Sequence, residues 1–321
     1  MLQHSFQNSR FHKLFPKLYS FMNYRTKRMA STLVETKRDG KVFLIAINRP
    51  SHRNSVNLET GRQLLDAFKQ FESNDEVSVA VFYGKEGNFC AGYDLKELAS
   101  WDTTNQKSSI PYAPMGPSKT VFKKPIIAAI SGYAVAGGLE LALMCDLRVA
   151  EDDVTLGVFC RRFGVPLIDG GTVRLPHIIG LSRALDLILS GRAVKADEAL
   201  AMGLVNRVVS KGNALKTAVE LANEIASFPQ ECMLADRRSC MYAMYDMQTL
   251  EGAMQFEHNN GKIQASREAQ IKNVVSKNEC KQFSTISVGK GIIHQESIEG
   301  AGKFVKGSGR NGSFSDWKSK L

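Results

Sequence analysis

KPIIAAISGYAVAGGLELALMCD, residues Lys124 to Asp146, is the stretch in which the hydrophobic period changes, and that change decides the architecture. IIAAI at Ile126 to Ile130 is short, wholly apolar and rich in β-branched residues, as a strand covered on both faces must be. Gly132 and then Gly137-Gly138 punctuate the chain before LELALM continues as an apolar helix. A helix that starts on glycine leaves its first N–H groups unpaired. Those donors and the positive end of the helix dipole favour a developing negative charge, the geometry of an oxyanion hole. Glycine also serves tight strand-to-helix turns for steric reasons alone, so this segment leaves both readings open.

Working outward toward the N-terminus, KVFLIAIN at Lys41 to Asn48 reads as a buried strand stopped by Arg49-Pro50. Asn57 can cap a helix whose apolar residues Leu58, Leu64, Leu65, Phe68 and Phe71 recur at three- and four-residue steps, with Glu59 in its first turn and Asp75 ending it. Val77 to Tyr83 (VSVAVFY) is a second strand. Strand, helix, strand, helix implies a layered α/β domain. Trp101 to Thr120 is polar, carries three prolines and shows no period. It is either a functional loop or a mobile surface one.

Toward the C-terminus the chain turns helical, over Thr172 to Ile179, Ser182 to Ser190, Ala196 to Met202, Ala214 to Ala226 and Glu231 to Phe256. Gly261 to Gln295 reads as a linker or insertion. Gly307-x-Gly309-x-x-Gly312 matches a dinucleotide fingerprint formally, but no strand precedes it and it is read as a tail. No repeat of fixed period is present.

The 321 residues are 43% hydrophobic and 23% charged, which predicts a globular chain with a sizeable core. No apolar run is long enough for a membrane span. The six cysteines lack a C-x-x-C pair and the six histidines lack paired-ligand spacing, so free thiols and no metal are expected. The net charge of +10 is uneven: six of the 42 basic residues and none of the 32 acidic ones lie in residues 1–34. That distribution argues against a nucleic-acid partner. In Arg10 to Met22, the basic residues Arg10, Lys13 and Lys17 oppose Phe11, Leu14, Phe15, Leu18 and Met22 at helical spacing, the pattern of a mitochondrial transit peptide. A disordered basic tail, or a start at Met29, is the alternative.

A second glycine turn lies at NFCAGYDLK, Asn88 to Lys96, after the Val77 to Tyr83 strand. Loops at the carboxyl ends of parallel strands gather around a ligand crevice, and two such turns can bracket one carbonyl oxygen. NFCAGYDLKEL together with GYAVAGGLELALMCD resembles the signatures of the crotonase superfamily, the enoyl-CoA hydratase/isomerase family. The resemblance extends through IAINRPSHRNSVN (Ile45 to Asn57), GVPLIDGGTVRLPHIIG (Gly164 to Gly180) and ALDLILSGRAVKADEALAMGLVNRVV (Ala184 to Val209). It covers residues 33 to 260, with an echo in Glu299 to Phe304.

The resemblance implies an α/β fold: a crotonase-like ββα spiral core over residues 31–210 and a helical C-terminal trimerisation region over 211–260. Residues 1–30 then form an extension, 261–295 a linker and 296–321 a C-terminal segment. It implies an acyl-CoA thioester substrate, no separate cofactor, no membrane partner and a homotrimer or hexamer. Carried over, the oxyanion donors fall on the backbone N–H groups of Tyr93 and Gly137, and the CoA-contacting stretch on Ala91, Tyr93, Asp94, Leu95 and Lys96. Arg53 is placed to reach the phosphates. For Arg53 and Lys96 a solvated surface charge is the competing reading.

Glu140 takes the position of the first of the two glutamates that a hydratase of this family uses. First-turn glutamates are common without catalysis, but Leu139, Leu141, Ala142, Leu143 and Met144 force this one into a buried place. At the second glutamate the sequence departs, presenting Cys160. The nearest replacement is Asp169, which alternatively serves as N-cap of the Thr172 helix. The expected activity is addition of water to a 2-enoyl-CoA in the mitochondrial matrix, or in the cytoplasm or peroxisome if translation starts at Met29. The missing glutamate keeps isomerisation or decarboxylation of an acyl-CoA open, as it does a catalytically weakened acyl-CoA- or RNA-binding protein.

Overall fold

Residues 32–100 and 113–261 are described by the computed structural model, and statements of content below refer to them. The strands are β1 (Val34–Asp39), β2 (Val42–Ile47), β3 (Val79–Gly84), β4 (Ile126–Ile130), β5 (Tyr133–Val135), β6 (Leu147–Glu151), β7 (Thr155–Gly157) and β8 (Arg207–Val209). The helices are α1 (Leu58–Ser73), α2 (Leu95–Ala99), α3 (Gly137–Met144), α4 (Gly171–Ile179), α5 (Leu181–Ser190), α6 (Ala196–Ala201), α7 (Ala214–Ser227) and α8 (Gln230–Tyr245).

Six strands form one sheet in the order β1-β2-β3-β4-β6-β8, parallel except for the β1–β2 hairpin. Neighbouring residues of a strand face opposite sides, and both sides here are apolar. Register sets Phe43 beside Ala80 and Ala80 beside Ile126, a row that belongs to the larger core together with Leu64, Phe68 and Phe71 of α1. The intervening row, Val42, Val79, Val81, Ile127 and Val149, meets Ala214, Ala218, Leu221 and Ala222 of α7. Each large side chain fully buried this way contributes about 1.5–3 kcal/mol. Phe68 packs edge-on against Phe82, and Phe82 against Phe89, with ring centres 5.3 and 5.1 Å apart. That aromatic column links α1 to the turn that carries Asn88 to Tyr93.

A second, two-stranded sheet pairs β5 with β7 in parallel. Cys90 bridges to Ala134 and Val56 to Tyr93, so two loops lie alongside it. The expected α/β architecture is present. Asn57 caps α1 as expected, its Oδ1 accepting the Thr60 N–H at 2.9 Å.

Several boundaries differ from the sequence reading. The helix expected over Glu231 to Phe256 is two: α8 ends at Tyr245, residues 246–249 are non-helical, and residues 250–261 are helical again. Thr249 accounts for the restart, because its hydroxyl accepts the Gly252 N–H as a cap does. Helix α1 ends at Ser73, with Asn74 rather than Asp75 as its cap. Strand β1 was not expected because its sequence, VETKRD, is mostly charged and exposed. Strand β6 hid behind Arg148, whose buried guanidinium is satisfied by the Leu204 and Cys145 carbonyls at 2.8 and 2.7 Å. Of the linker expected over 261–295 only Gly261 is described, and it closes the helix over 250–261. The expected N-terminal targeting segment, the 296–321 segment and the Gly307 to Gly312 motif lie outside the described residues.

Candidate active site

Two turns meet where the sheets join. The turn into α3 places Ala136 at φ 53°, ψ −127°, in a region of backbone space that costs a non-glycine residue about 1–3 kcal/mol. That conformation delivers Gly137 as the first helical residue, and among the described residues the Gly137 N–H has no acceptor. The turn at Ala91-Gly92 packs directly on it. A Cβ added to Gly138 would sit 2.1 Å from the Cys90 carbonyl oxygen, so only glycine lets the two turns approach this closely.

Beneath them lies a cavity of about 590 Å³, bordered by Gly137, Glu140, Cys160, Asp169, Met115 and Tyr93 among others. Glu140 is 3% exposed. Its Oε1 accepts the N–H of Asp169 at 2.9 Å and of Gly171 at 2.8 Å. The second oxygen has no protein donor among the described residues. A Cβ on Gly171 would fall 3.0 Å from Oε1, which explains glycine at that position. Burial raises the Glu140 pKa to about 7, and the charge of Asp169 adds to the rise, against the lowering influence of the two N–H donors and Arg174.

Asp169 is likewise 3% exposed. The sequence left open that it caps α4, and the structure excludes this: the N-cap is Gly170, in a left-handed conformation, with no side-chain cap. The Asp169 carboxylate instead turns to the Ala113–Lys119 segment, where Oδ1 accepts the Met115 N–H at 3.2 Å and the Ser118 hydroxyl in a short contact. Burial raises its pKa too, opposed by Ser118, Met115, Lys119 and Arg174. Two buried carboxyl groups thus share one cavity, linked through the Asp169 amide. Charged together they repel, so the pair holds on to a proton to higher pH than an exposed carboxyl does.

Cys160 lines the same cavity as a buried free thiol, its pKa pushed up by burial and by the charge of Glu140. It is a protonated SH near neutral pH.

The other expected contacts divide. Ala91, Tyr93, Leu95 and Arg53 border the cavity. The Arg53 guanidinium stacks on Tyr133 at 5.5 Å, and its carbonyl receives the Ala91 N–H. The Tyr93 hydroxyl donates to Glu97 at 2.6 Å. Asp94 and Lys96 are not in the lining. Asp94 is held elsewhere, pairing with Arg49 at 2.9 Å while its other oxygen accepts the Lys96 N–H at the start of α2. Those two bonds and the Arg49 charge outweigh its burial and depress its pKa. Sequence reasoning missed Met115, Ser118, Arg174 and Arg49. The first two fall in the Trp101 to Thr120 loop suspected of function, but nothing in their local pattern marks them.

Among the described residues, no His/Cys/Asp/Glu group is arranged to hold a metal, and no helix is long and apolar enough to cross a membrane. The arrangement offers an unpaired N–H at a helix start, a carboxyl with pKa near neutrality and a second carboxyl beside it. It suits stabilising an enolate while a proton is moved.

Residues 37–283 match the family model described as enoyl-CoA hydratase/isomerase. The chain is 39% identical over 207 residues to a probable enoyl-CoA hydratase of Rhizobium meliloti, covering 64% of this chain and 77% of that one. It is 34% identical over 248 residues to a probable mitochondrial enoyl-CoA hydratase of Dictyostelium discoideum, covering 75% and 84%. The crystal structure of an enoyl-CoA hydratase from Mycobacterium marinum superposes with a TM-score of 0.67 at 31% identity, covering 77% of this chain and 97% of that one.

Proposed function

We propose, from the premise that this chain belongs to the enoyl-CoA hydratase/isomerase family, that it adds water to a 2-enoyl-CoA with Glu140 and Asp169 dividing the proton transfers. The chain is an enzyme of the crotonase superfamily and hydratase-like. The observation that carries the finer reading is the pair of buried carboxyl groups in one cavity beside the Gly137 N–H.

In this reading, ionised Asp169 takes a proton from the water that attacks the β-carbon. The thioester oxygen gains charge as the enolate forms and is held by the Gly137 N–H, with the Tyr93 N–H as the second donor by resemblance. Protonated Glu140 then gives its proton to the α-carbon. Transfer of the proton from Asp169 back to Glu140 through solvent resets the site. CoA is part of the substrate, and no separate cofactor takes part. The thiol at Cys160 favours a second reading, double-bond isomerisation, in which Glu140 alone moves a proton between carbons.

Purified protein assayed against a panel of enoyl-CoA thioesters decides between them. Loss of the conjugated double bond is the result expected, and a shift of the double bond without hydration overturns the hydratase reading. Exposed Leu181, Leu185 and Leu189 on one face of α5 support a homotrimer or hexamer; a monomer on sedimentation of the same preparation overturns that.

We also propose that residues 1–30 direct the chain to the mitochondrial matrix. The acid-free, amphipathic Arg10 to Met22 pattern supports this. Fused to a fluorescent reporter, residues 1–30 are expected to give mitochondrial fluorescence, lost when Arg10, Lys13 and Lys17 become Glu. A cytosolic reporter with the native segment favours the Met29 start.

A further inference from the structure

Ser118 is fully buried, and its one hydroxyl hydrogen is spent on Oδ1 of Asp169. Its carbonyl is held by Arg174 Nη2 at 2.7 Å, while Nη1 of the same guanidinium reaches the Asp169 carbonyl at 3.1 Å. Side chain and backbone of one serine are therefore both tied to one aspartate. The Met115 N–H adds a second donor to the same Oδ1. No protein donor among the described residues reaches Oδ2. Hydrogen bonds donated to a carboxylate favour its charged form.

We propose that Ser118, locked by Arg174, is a positioning residue that keeps Asp169 ionised, with Oδ1 occupied and Oδ2 left for the attacking water. This rests on the hydratase reading and says which carboxyl is the base. The charged and titratable groups around Asp169 are Glu140 on α3, Cys160 in the Phe159–Phe163 turn across the cavity, Arg174 on α4 and Lys119 on the Ser118 segment itself. Of the influences opposing burial at Asp169, the Ser118 hydroxyl is the largest. Glu140 receives no side-chain donor and is raised to about 7. Burial raises the pKa of both carboxyl groups; Asp169 differs in taking a side-chain hydroxyl on Oδ1, where Glu140 takes two backbone N–H groups.

The test uses the full chain with Ser118→Ala, Asp169→Asn and both together. It follows kcat and KM against pH with an enoyl-CoA, and the ¹³C resonance of the Asp169 carboxyl against pH. Ser118→Ala is expected to lower kcat about tenfold or more near neutral pH, the scale of losing a hydrogen bond to a charged group, with KM little changed. The acidic limb of the kcat profile and the Asp169 titration both move to higher pH. Added to Asp169→Asn, Ser118→Ala costs nothing further.

An Asp169 carboxyl that titrates at the same pH with and without the hydroxyl overturns the proposal. So does an equal loss of kcat from Ser118→Ala whether or not Asp169 is present. If Asp169→Asn alone turns over like the native enzyme, the catalytic assignment of Asp169 is what fails, and the carboxyl titration still judges Ser118. Ser118→Cys, similar in volume but a weak donor, repeats the test should alanine leave an unstable cavity.

Discussion

Glu140→Gln is expected to lower turnover of a 2-enoyl-CoA by about 10²- to 10⁴-fold, the range that a positioned acid or base supplies, while substrate affinity changes little. A glutamine Oε1 still accepts the Asp169 and Gly171 N–H groups, so the side chain keeps its place. The Gly137 N–H and the cavity walls are untouched, and only the proton carrier is gone. The same substitution is expected to stabilise the fold at alkaline pH. Because burial raises the Glu140 pKa from 4.5 to about 7, the native state binds this proton more tightly than the unfolded chain does. Its contribution is complete below pH 4.5 and is lost as pH rises through about 7. Glutamine suffers no such loss, so above pH 7 the variant gains on the order of 3 kcal/mol over the native enzyme, and below 4.5 nothing. Steady-state kinetics and urea unfolding at two pH values measure both effects. Turnover within tenfold of native removes Glu140 from the chemistry.

Asp169→Asn is expected to lower hydratase kcat by roughly 10²-fold or more, with little change in melting temperature. An asparagine Oδ1 still accepts from Ser118 and Met115. Asp169 does not cap α4, so the stability loss of about 1 kcal/mol that follows a missing cap is absent. Cys160→Ser is the companion variant. With the thiol held protonated by burial and the charge of Glu140, serine in its place leaves kcat largely intact. Should Cys160→Ser inactivate the enzyme while Asp169→Asn does not, the two-carboxylate account fails and a thiol-dependent mechanism replaces it.

What was legible in the sequence was whatever physics writes locally. A glutamate inside LELALM has to be buried, and Glu140 is. Asn57 before an amphipathic run has to cap it, and it does. IIAAI fixed a covered strand to its exact residues, Ile126–Ile130. What stayed hidden depends on distant partners. Nothing near Ser118 shows that Asp169, 51 positions away, will accept its hydroxyl. Strand β6 reads as too charged until Arg148 meets carbonyls contributed by Cys145 and by Leu204, 56 positions on. Asp94 has a partner that no local pattern shows, Arg49, which lies 45 positions earlier.

The two-sided central sheet bears on how this chain can change over generations. Along β3 and β4 the residues at even positions, Ala80, Phe82, Ile126 and Ala128, belong to the core that also reaches the site, while Val79, Val81, Ile127 and Ala129 meet α7. A point substitution therefore disturbs one side and spares the other. Loss or gain of a single residue inside either strand instead exchanges the two sides for every position that follows. Substitutions within the sheet act on one face at a time, and changes of length are expected in the connections between strands.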